Sequence, residues 1–268
     1  MPRASSNPQH QGHLLRTQGR AIFALMLRDI RTRFFGHGLG FLLAIAWPLL
    51  HVLILLGFYH ALGRATPYGE DLLLFFATAL GPFMAFSYLS RFAMLSVIQN
   101  RPLLNFPAIR PLDIVYARCI LETLGSICMM IVLFGILWVL GVDIRPHDPV
   151  QAVYAFGSAL LLGVCLGLFN AVITMAMSGW ATIYSLMIVV LYITSGIIFV
   201  PDTLPEQLRN IVVWNPALHS VEWMRQAYFP SYGKEALDKT YLFSFCLISL
   251  FAGLAIERLF RGYLVRIK

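Results

Sequence analysis

An all-α integral membrane protein is the fold class this sequence predicts, and three observations predict it. Of its 268 residues, 59% are hydrophobic and 12% charged, about half the charged share of an ordinary globular chain. Mean hydropathy is +0.73, so the chain lacks the polar surface that solubility requires. Six apolar runs stand at 39–62, 72–89, 120–142, 153–177, 180–200 and 241–260, and a helix needs about 20 residues to cross the hydrocarbon core. None shows the alternating segments of about ten residues that a transmembrane barrel requires. Only a helix closes its own backbone hydrogen bonds over spans of this length. The expected architecture is six transmembrane helices with an N-terminal interfacial amphipathic helix and short re-entrant or extracytoplasmic helices between the fifth and sixth spans.

Residues 1–13 are polar and hold no apolar core, so they read as a disordered cytoplasmic tail and not as a cleaved signal peptide. Residues 14–36 are amphipathic: Leu14, Leu15, Ile22, Leu25, Met26 and Ile30 are interleaved with Arg16, Arg20, Arg28, Arg31 and Arg33. Five arginines exclude a spanning helix and suit one lying among headgroups, where they favour anionic lipid. The same charges also serve to orient the chain. With both termini in the cytoplasm, the cytoplasmic segments carry 14 basic residues and the opposite side 6, while nine of the 13 acids fall outside. The net charge of +7 is therefore a topology signal, and no nucleic-acid partner is expected. Residues 14–260 form the transmembrane domain, and 261–268 form a short cytoplasmic tail.

Small residues four apart, Ala155, Ala159, Gly163, Gly167 and Ala171 in the fourth run and Ala77, Gly81 and Ala85 in the second, predict close helix packing. Cys119, Cys128, Cys165 and Cys246 lie in or beside apolar runs without a CxxC pair, so they read as small buried hydrophobes and not as metal ligands. The segment 201–240 carries Leu204, Leu208, Ile211 and Val212 at helical spacing. The break Asn215-Pro216 follows, and then a second apolar face of Leu218, Val221, Met224 and Tyr228. Two short helices joined at a proline either dip back into the membrane or lie on it, the alternative being a free loop.

The stretch QNRPLLNFPAIRPLDIVYAR, 99–118, is a polar island that nevertheless carries Leu103, Leu104, Phe106, Ile109 and Leu112. Prolines at 102, 107 and 111 prevent one continuous helix. Arg101-Pro102 and Arg110-Pro111 each resemble a helix start, and Asp113 suits the positive end of the second. A proline-framed knob with an exposed apolar surface serves either as a docking surface or as a connector whose leucines rest on the bilayer.

Polar groups inside the spans are few: His51 in the first, Asn170 and Thr174 in the fourth, and Glu122 near the start of the third, four residues after Arg118. His51 reads either as a hydrogen-bonded packing residue or as a functional one. Trp180, Tyr184, Tyr192 and Phe199 fall within about 120° of the fifth span, either as packing residues or as a face against which sugar rings slide. No nucleophile–base pair, HExxH motif or nucleophile elbow is present, and Gly233-Lys234 is followed by Glu235, so there is no phosphate-binding P-loop. No catalytic residue, metal ligand or cofactor site is expected, and active transport by this chain needs a motor on another chain.

Two motifs carry a family resemblance. The 99–118 stretch is similar to the LL-x-x-P-x-x-x-P-x-D-x-x-x-A-R coupling segment of type-2 ABC exporter permeases. Residues 195–232, SGIIFVPDTLPEQLRNIVVWNPALHSVEWMRQAYFPSY, resemble the Phe-x-Pro…Leu-Pro…Asn-Pro…His…Glu…Arg segment of the branch exporting group 2 capsular polysaccharide such as polysialic acid. With the amphipathic helix and six spans, the likeness covers nearly the whole chain. It implies a homodimeric pore in a bacterial inner membrane, bound to two ABC ATPase subunits that use ATP and Mg. The cargo would be a lipid-linked polysaccharide passed toward a periplasmic co-polymerase or adaptor and an outer-membrane export protein. Arg101, Pro102, Leu103, Leu104, Phe106, Ile109, Arg110 and Asp113 would couple to the ATPase. Pro205, Asn215, Pro216, His219, Glu222 and Arg225 would form the periplasmic gate segment. Arg16, Arg20, Arg28 and Arg31 would meet the lipid headgroup, and Trp180, Tyr184, Tyr192, Phe199 and His51 would line the substrate path. A permease for O-antigen, teichoic acid or a small drug shares this topology. An enzyme acting on lipid-linked sugars would need catalytic groups that the sequence does not offer, and a passive scaffold in a secretion complex is compatible with composition alone.

Overall fold

The computed structural model describes residues 8–32, 40–63, 65–106, 109–177, 179–233 and 235–264. Among these residues all regular structure is helical. The elements are α1 (Pro8–Thr32), α2 (Gly40–Ala61), α3 (Leu72–Gln99), a 3-10 turn (Arg101–Asn105), α4 (Pro111–Val139), α5 (Pro149–Ala176) and α6 (Trp180–Thr194). A second 3-10 turn (Pro201–Thr203), α7 (Glu206–Val212), α8 (Pro216–Tyr228) and α9 (Lys239–Leu264) complete them. Helices α3, α4, α5 and α9 are long and apolar enough to cross a membrane, while α2 offers the shorter apolar stretch Ile45–Ala61 and α6 only Trp180–Thr194. Helix α1 begins at Pro8, so residues 8–13 are helical where a disordered tail was expected. Residues 1–7, the end of the expected interfacial helix at 33–36, and 265–268 lie outside the described residues.

Helix α3 is the centre of the bundle. It packs against α5, α4, α8, α2 and α6, and its side chains from Leu74 to Phe86 are buried without a break. A helix apolar all round has no face to give to solvent and belongs inside. Its main partner is α5, whose residues Ala155, Ala159, Gly163, Gly167 and Ala171 are all buried, as the small-residue spacing predicts. At Gly167 a Cβ would stand 2.7 Å from the Ala93 Cβ and 3.2 Å from the Ser90 Cα, so the backbones approach as closely as they do only because no side chain intervenes.

The fifth apolar run departs from expectation. Its helix ends at Thr194 after 15 residues, roughly 22 Å at 1.5 Å per residue, not at 200. The Ser195 hydroxyl donates to the Tyr192 carbonyl at 2.8 Å, and Gly196 adopts φ +78°, a left-handed conformation that costs glycine little. Beyond the turn, Ile197 and Val200 remain buried, so hydropathy continues where the helix does not. The α7–α8 pair also divides. In α7 only Val212 is buried, and Leu208 and Ile211 are exposed. Helix α8 is sunk among α5, α3 and α9, with Leu218, Val221 and Met224 fully buried.

Gly167→Leu is expected to overpack the α3–α5 contact and cost about 1–3 kcal/mol, read as a lowered midpoint in heat-challenge size-exclusion of the detergent-solubilised protein. Gly157→Leu, at a position with open space around it, is the matched control and leaves the midpoint near that of the wild type.

Candidate functional site

Three places in the fold gather the residues singled out by sequence. The first is the turn from α3 to α4. Asn100 caps α3, its side chain donating to the Ser96 carbonyl at 2.9 Å, and the chain enters the 3-10 turn with Pro102 near its start. Pro111 opens α4, and the Asp113 carboxylate accepts the Arg110 N–H at 3.0 Å, closing the exposed end of the helix. The apolar surface of this knob is less exposed than the sequence implied. Leu103, Leu104 and Ile109 pack with Ile22, Leu25 and Met26 of α1 against Ile114 and Ala117. Phe106 alone among the large apolar side chains of the turn stays 59% exposed, flanked by exposed Arg101, Pro102 and Arg110. One side of α1 thus covers protein, through Ile22, Leu25 and Met26, while Phe23 and Leu27 of the same helix stay exposed.

Polar contacts fasten the same joint. Gln18 donates to Asp113 at 2.8 Å, and Arg28 donates to the Asn100 side chain at 2.7 Å. The Arg118 guanidinium lies 3.5 Å from Asp29 and 3.7 Å from Glu122, and donates to Gln99 at 3.2 Å. The i,i+4 pair of Arg118 and Glu122 read from sequence is present, but Asp29, a lone acid in a basic helix, makes it an interhelical network. Of the four arginines assigned to headgroups, Arg28 is drawn into this joint and Arg20 and Arg31 are exposed, while the Arg16 side chain lies outside the described residues.

The second place is the face of α6. Its aromatic residues do not line one path. The Tyr184 hydroxyl donates to Ser90 at 2.8 Å in a buried contact, Trp180 Nε1 donates to Asn170 at 2.8 Å, and Phe199 packs beside the Val212 and Leu218 cluster. Tyr184 and Trp180 hold α6 to its own bundle, Phe199 lies beyond the helix end at Thr194, and the outward side of α6 is aliphatic, with Leu186, Val190 and Ile193 exposed. Periodicity placed the residues on one sector without saying which sector faces inward. Tyr192 and His51 do come together, in a groove of about 280 Å³ between α2, α3 and α6 that also includes Tyr88 and Arg91. Tyr192 meets Phe83 edge-on with centroids 5.4 Å apart, and His51 Nδ1 lies 3.1 Å from the Tyr88 hydroxyl. Tyr88 and Arg91 are additions the sequence reading missed. Helical spacing from Phe83 and Met84 through Ser87 and Tyr88 to Arg91 was the available signal.

The third place joins α8 to the end of α6. Pro205 and Asn215 precede α7 and α8 as N-caps, with Pro216 at the first position of α8. Asn215 accepts the Ala217 N–H at 2.9 Å and donates to the Leu191 carbonyl at 2.8 Å and to Thr194 Oγ1 at 2.9 Å. Arg225 is fully buried. Its Nη1 donates to the Gly196 carbonyl at 2.6 Å and the Phe199 carbonyl at 3.2 Å, and Nη2 donates to the Ile197 carbonyl at 2.9 Å. The guanidinium also stands 3.9 Å from the centre of the Phe75 ring and 3.5 Å from Glu222, whose carboxylate accepts the Tyr232 hydroxyl at 2.9 Å. Burial pushes the Glu222 carboxyl up to about 7, against the opposing pull of Arg225 and Tyr232. His219 contacts the Val213 carbonyl through Nε2 at 2.9 Å, and its Nδ1 accepts the Asp238 N–H at 3.1 Å. A carbonyl can only accept and an N–H only donate, so the ring is neutral with its proton on Nε2, and burial holds its pKa below the ordinary value. This assembly is a clamp on main-chain carbonyls.

Residues 20–229 match the ABC-2 type transporter family. The chain is 34% identical to the "Polysialic acid transport protein KpsM" of Escherichia coli over 235 residues, covering 88% of this chain and 91% of that protein. It is 28% identical to the "Capsule polysaccharide export inner-membrane protein BexB" of Haemophilus influenzae over 216 residues, 80% of this chain and 81% of the relative. Against the corresponding protein CtrC of Neisseria meningitidis serogroup A the identity is 27% over 240 residues, 89% and 90% of the two chains.

Arg225→Met removes the partner of three carbonyls and one carboxylate, an expected loss of about 3–5 kcal/mol measured by heat-challenge size-exclusion. Arg225→Lys recovers little of it, because one ammonium cannot reproduce the planar fork. His219 makes a separate, pH-dependent contribution. Its folded-state pKa lies below the ordinary 6.5, so this contribution is complete above roughly pH 6.5 and declines as pH falls through the folded value. His219→Gln supplies one donor and one acceptor without titrating. The midpoint difference between wild type and His219→Gln is expected to shift against the wild type on acidification, and a pH-independent difference contradicts the assignment.

Proposed function

The chain belongs to the ABC-2 type transporter family, and from that premise we propose that it is the permease subunit of an ATP-driven exporter of capsular polysaccharide in a bacterial inner membrane. The observation that carries this reading is the match along 80–89% of the chain to relatives whose names specify polysialic acid transport or capsule polysaccharide export. The absence of a P-loop sequence agrees with a pore subunit whose ATP and Mg are bound by a separate ATPase. In this reading α2 and α6 cross the membrane with α3, α4, α5 and α9, giving six spans, and the positive-inside bias sets both termini in the cytoplasm. The exposed aliphatic side of α6 suits a homodimer contact about the pore. Lipid-linked polysaccharide passes toward a periplasmic co-polymerase or adaptor and an outer-membrane export protein.

The 3-10 turn after α3 is the landing site for the ATPase. Phe106, Arg101 and Arg110 present its outer surface, and Leu103, Leu104, Ile109 and Asp113 transmit displacement into α1 and α4. Since α1 is fastened to the turn by apolar packing and by Gln18, Arg28 and Asp29, the ATPase moves α1, the turn and α4 as one body. Helix α3 supplies the reach. Its 28 residues extend roughly 42 Å at 1.5 Å per residue, about 12 Å beyond a 30 Å hydrocarbon core.

Phe106→Asp is expected to abolish capsule export and co-purification with the ATPase subunit while leaving the folded permease intact. Leu104→Asp instead buries a charge against α1, lowering thermal stability by a few kcal/mol. Export and ATPase association that survive Phe106→Asp place the docking surface elsewhere.

A further inference from the structure

We propose that the groove between α2, α3 and α6 is a binding site for an anionic, phosphate-headed lipid, with Arg91 as the ligand of the head. Three observations combine. The groove is apolar along most of its length, with Leu55, Phe83, Ile188 and Val189 forming its walls. Its polar groups are His51, Ser87, Tyr88, Arg91 and the hydroxyl of Tyr192, and no acidic residue lines it. Arg91 is exposed and has no acidic partner among the described residues, in contrast to Arg118 and Arg225, which are both paired with carboxylates.

The depth of Arg91 selects the class of ligand. From Leu72 to Arg91, α3 rises roughly 28 Å at 1.5 Å per residue, close to the 30 Å thickness of the hydrocarbon core. The guanidinium therefore stands at headgroup level in the leaflet nearer the 3-10 turn, while the apolar walls run from it into acyl-chain depth. A cation at the boundary with a hydrophobic channel above it complements an amphiphile: one phosphate for the planar donor fork, and chains for Phe83, Ile188 and Val189. A soluble sugar acid would leave those walls unused. The His51–Tyr88 contact at 3.1 Å supplies further hydrogen-bonding groups beside the head. This inference rests on the export reading only for what the bound lipid carries, which would be the anchored polysaccharide. It assigns the head to Arg91 of α3 and not to the arginines of α1, of which Arg28 is already engaged with Asn100.

The test uses the full chain in nanodiscs, titrated with phosphatidylglycerol or phosphatidylcholine and read by native mass spectrometry. Wild type is expected to prefer the anionic lipid at one site per chain by roughly five- to tenfold, the ratio that a single boundary arginine supplies. Arg91→Ala erases the preference, and Arg91→Lys, which keeps the charge without the planar fork, keeps only part of it. Val189→Trp, which fills the groove with Arg91 intact, loses occupancy of both lipids at that site and keeps the proposal testable if Arg91→Ala does not fold. A preference unchanged in Arg91→Ala or in Val189→Trp overturns the proposal. So does displacement of the lipid from wild type by inorganic phosphate or by a soluble sialic acid oligomer, which would make this a site for free anions. No arm reads ATP hydrolysis or export, so its failure leaves the permease reading standing, and failure of the Phe106 experiment leaves the lipid site standing.

Discussion

The packing at one end of this bundle depends on a single buried cation. Arg225, fully enclosed, would be prohibitively costly to desolvate alone. It is tolerated because the carbonyls of Gly196, Ile197 and Phe199, the ring of Phe75 and the carboxylate of Glu222 surround it. Those carbonyls are free to face it only because the chain leaves the helix at Ser195 and turns through Gly196. The length of α6, the insertion of α8 and the position of the α3 end that carries Phe75 are thus one structural decision. Asn215 extends it by tying the start of α8 to Leu191 and Thr194. The clamp is made of main-chain acceptors at fixed positions, so it sets the register of α6 against α8 as well as their proximity.

The opposite end is held by a different balance. There the apolar contact of α1 with Leu103, Leu104 and Ile109 is framed by largely buried charge pairs centred on Arg118 and Asp29. Desolvation offsets much of the attraction in such buried pairs, but they define which surfaces of α1 and α4 meet. An amphipathic helix free on a membrane surface would move independently of the turn, whereas one pinned at Gln18, Arg28 and Asp29 shares its displacement.

Helix α3 belongs to both ends. Phe75 sits under the Arg225 clamp, Phe83 through Arg91 form the floor of the groove, and Asn100 receives Arg28 at the joint with α1. Its unbroken burial from Leu74 to Phe86 and its close approach to α5 at Gly167 make it the stiff member of the assembly. A displacement of the turn would reach the groove through a rod rather than through loops, and the groove lies between α3 and the two shorter apolar helices, α2 and α6.

By itself the sequence determined the helical class, the apolar segments, the proline-marked starts at Arg101 and Pro111, the small-residue seam of α5 and the Arg118–Glu122 pair. Each of these follows from hydropathy, from the missing proline N–H or from contacts within a turn or two of helix, which are local properties. Only the tertiary structure decided which face of α1 is covered, which aromatic residues of α6 pack inward, where α6 stops and whether α7 or α8 enters the bundle. The covered faces of α1 and α6 turn on partners 72 to 95 residues away, such as Asn100 for Arg28, Asp113 for Gln18 and Ser90 for Tyr184. The end of α6 turns on Asn215 and Arg225, 21 to 29 residues on, and no periodicity within a segment encodes a partner in another. The fifth run shows the limit most plainly. Ile197 and Val200 are as hydrophobic as the helix before them, yet the chain turns at Ser195 and Gly196, Asn215 takes the Leu191 carbonyl of the last turn, and a guanidinium on α8 holds the carbonyls that follow.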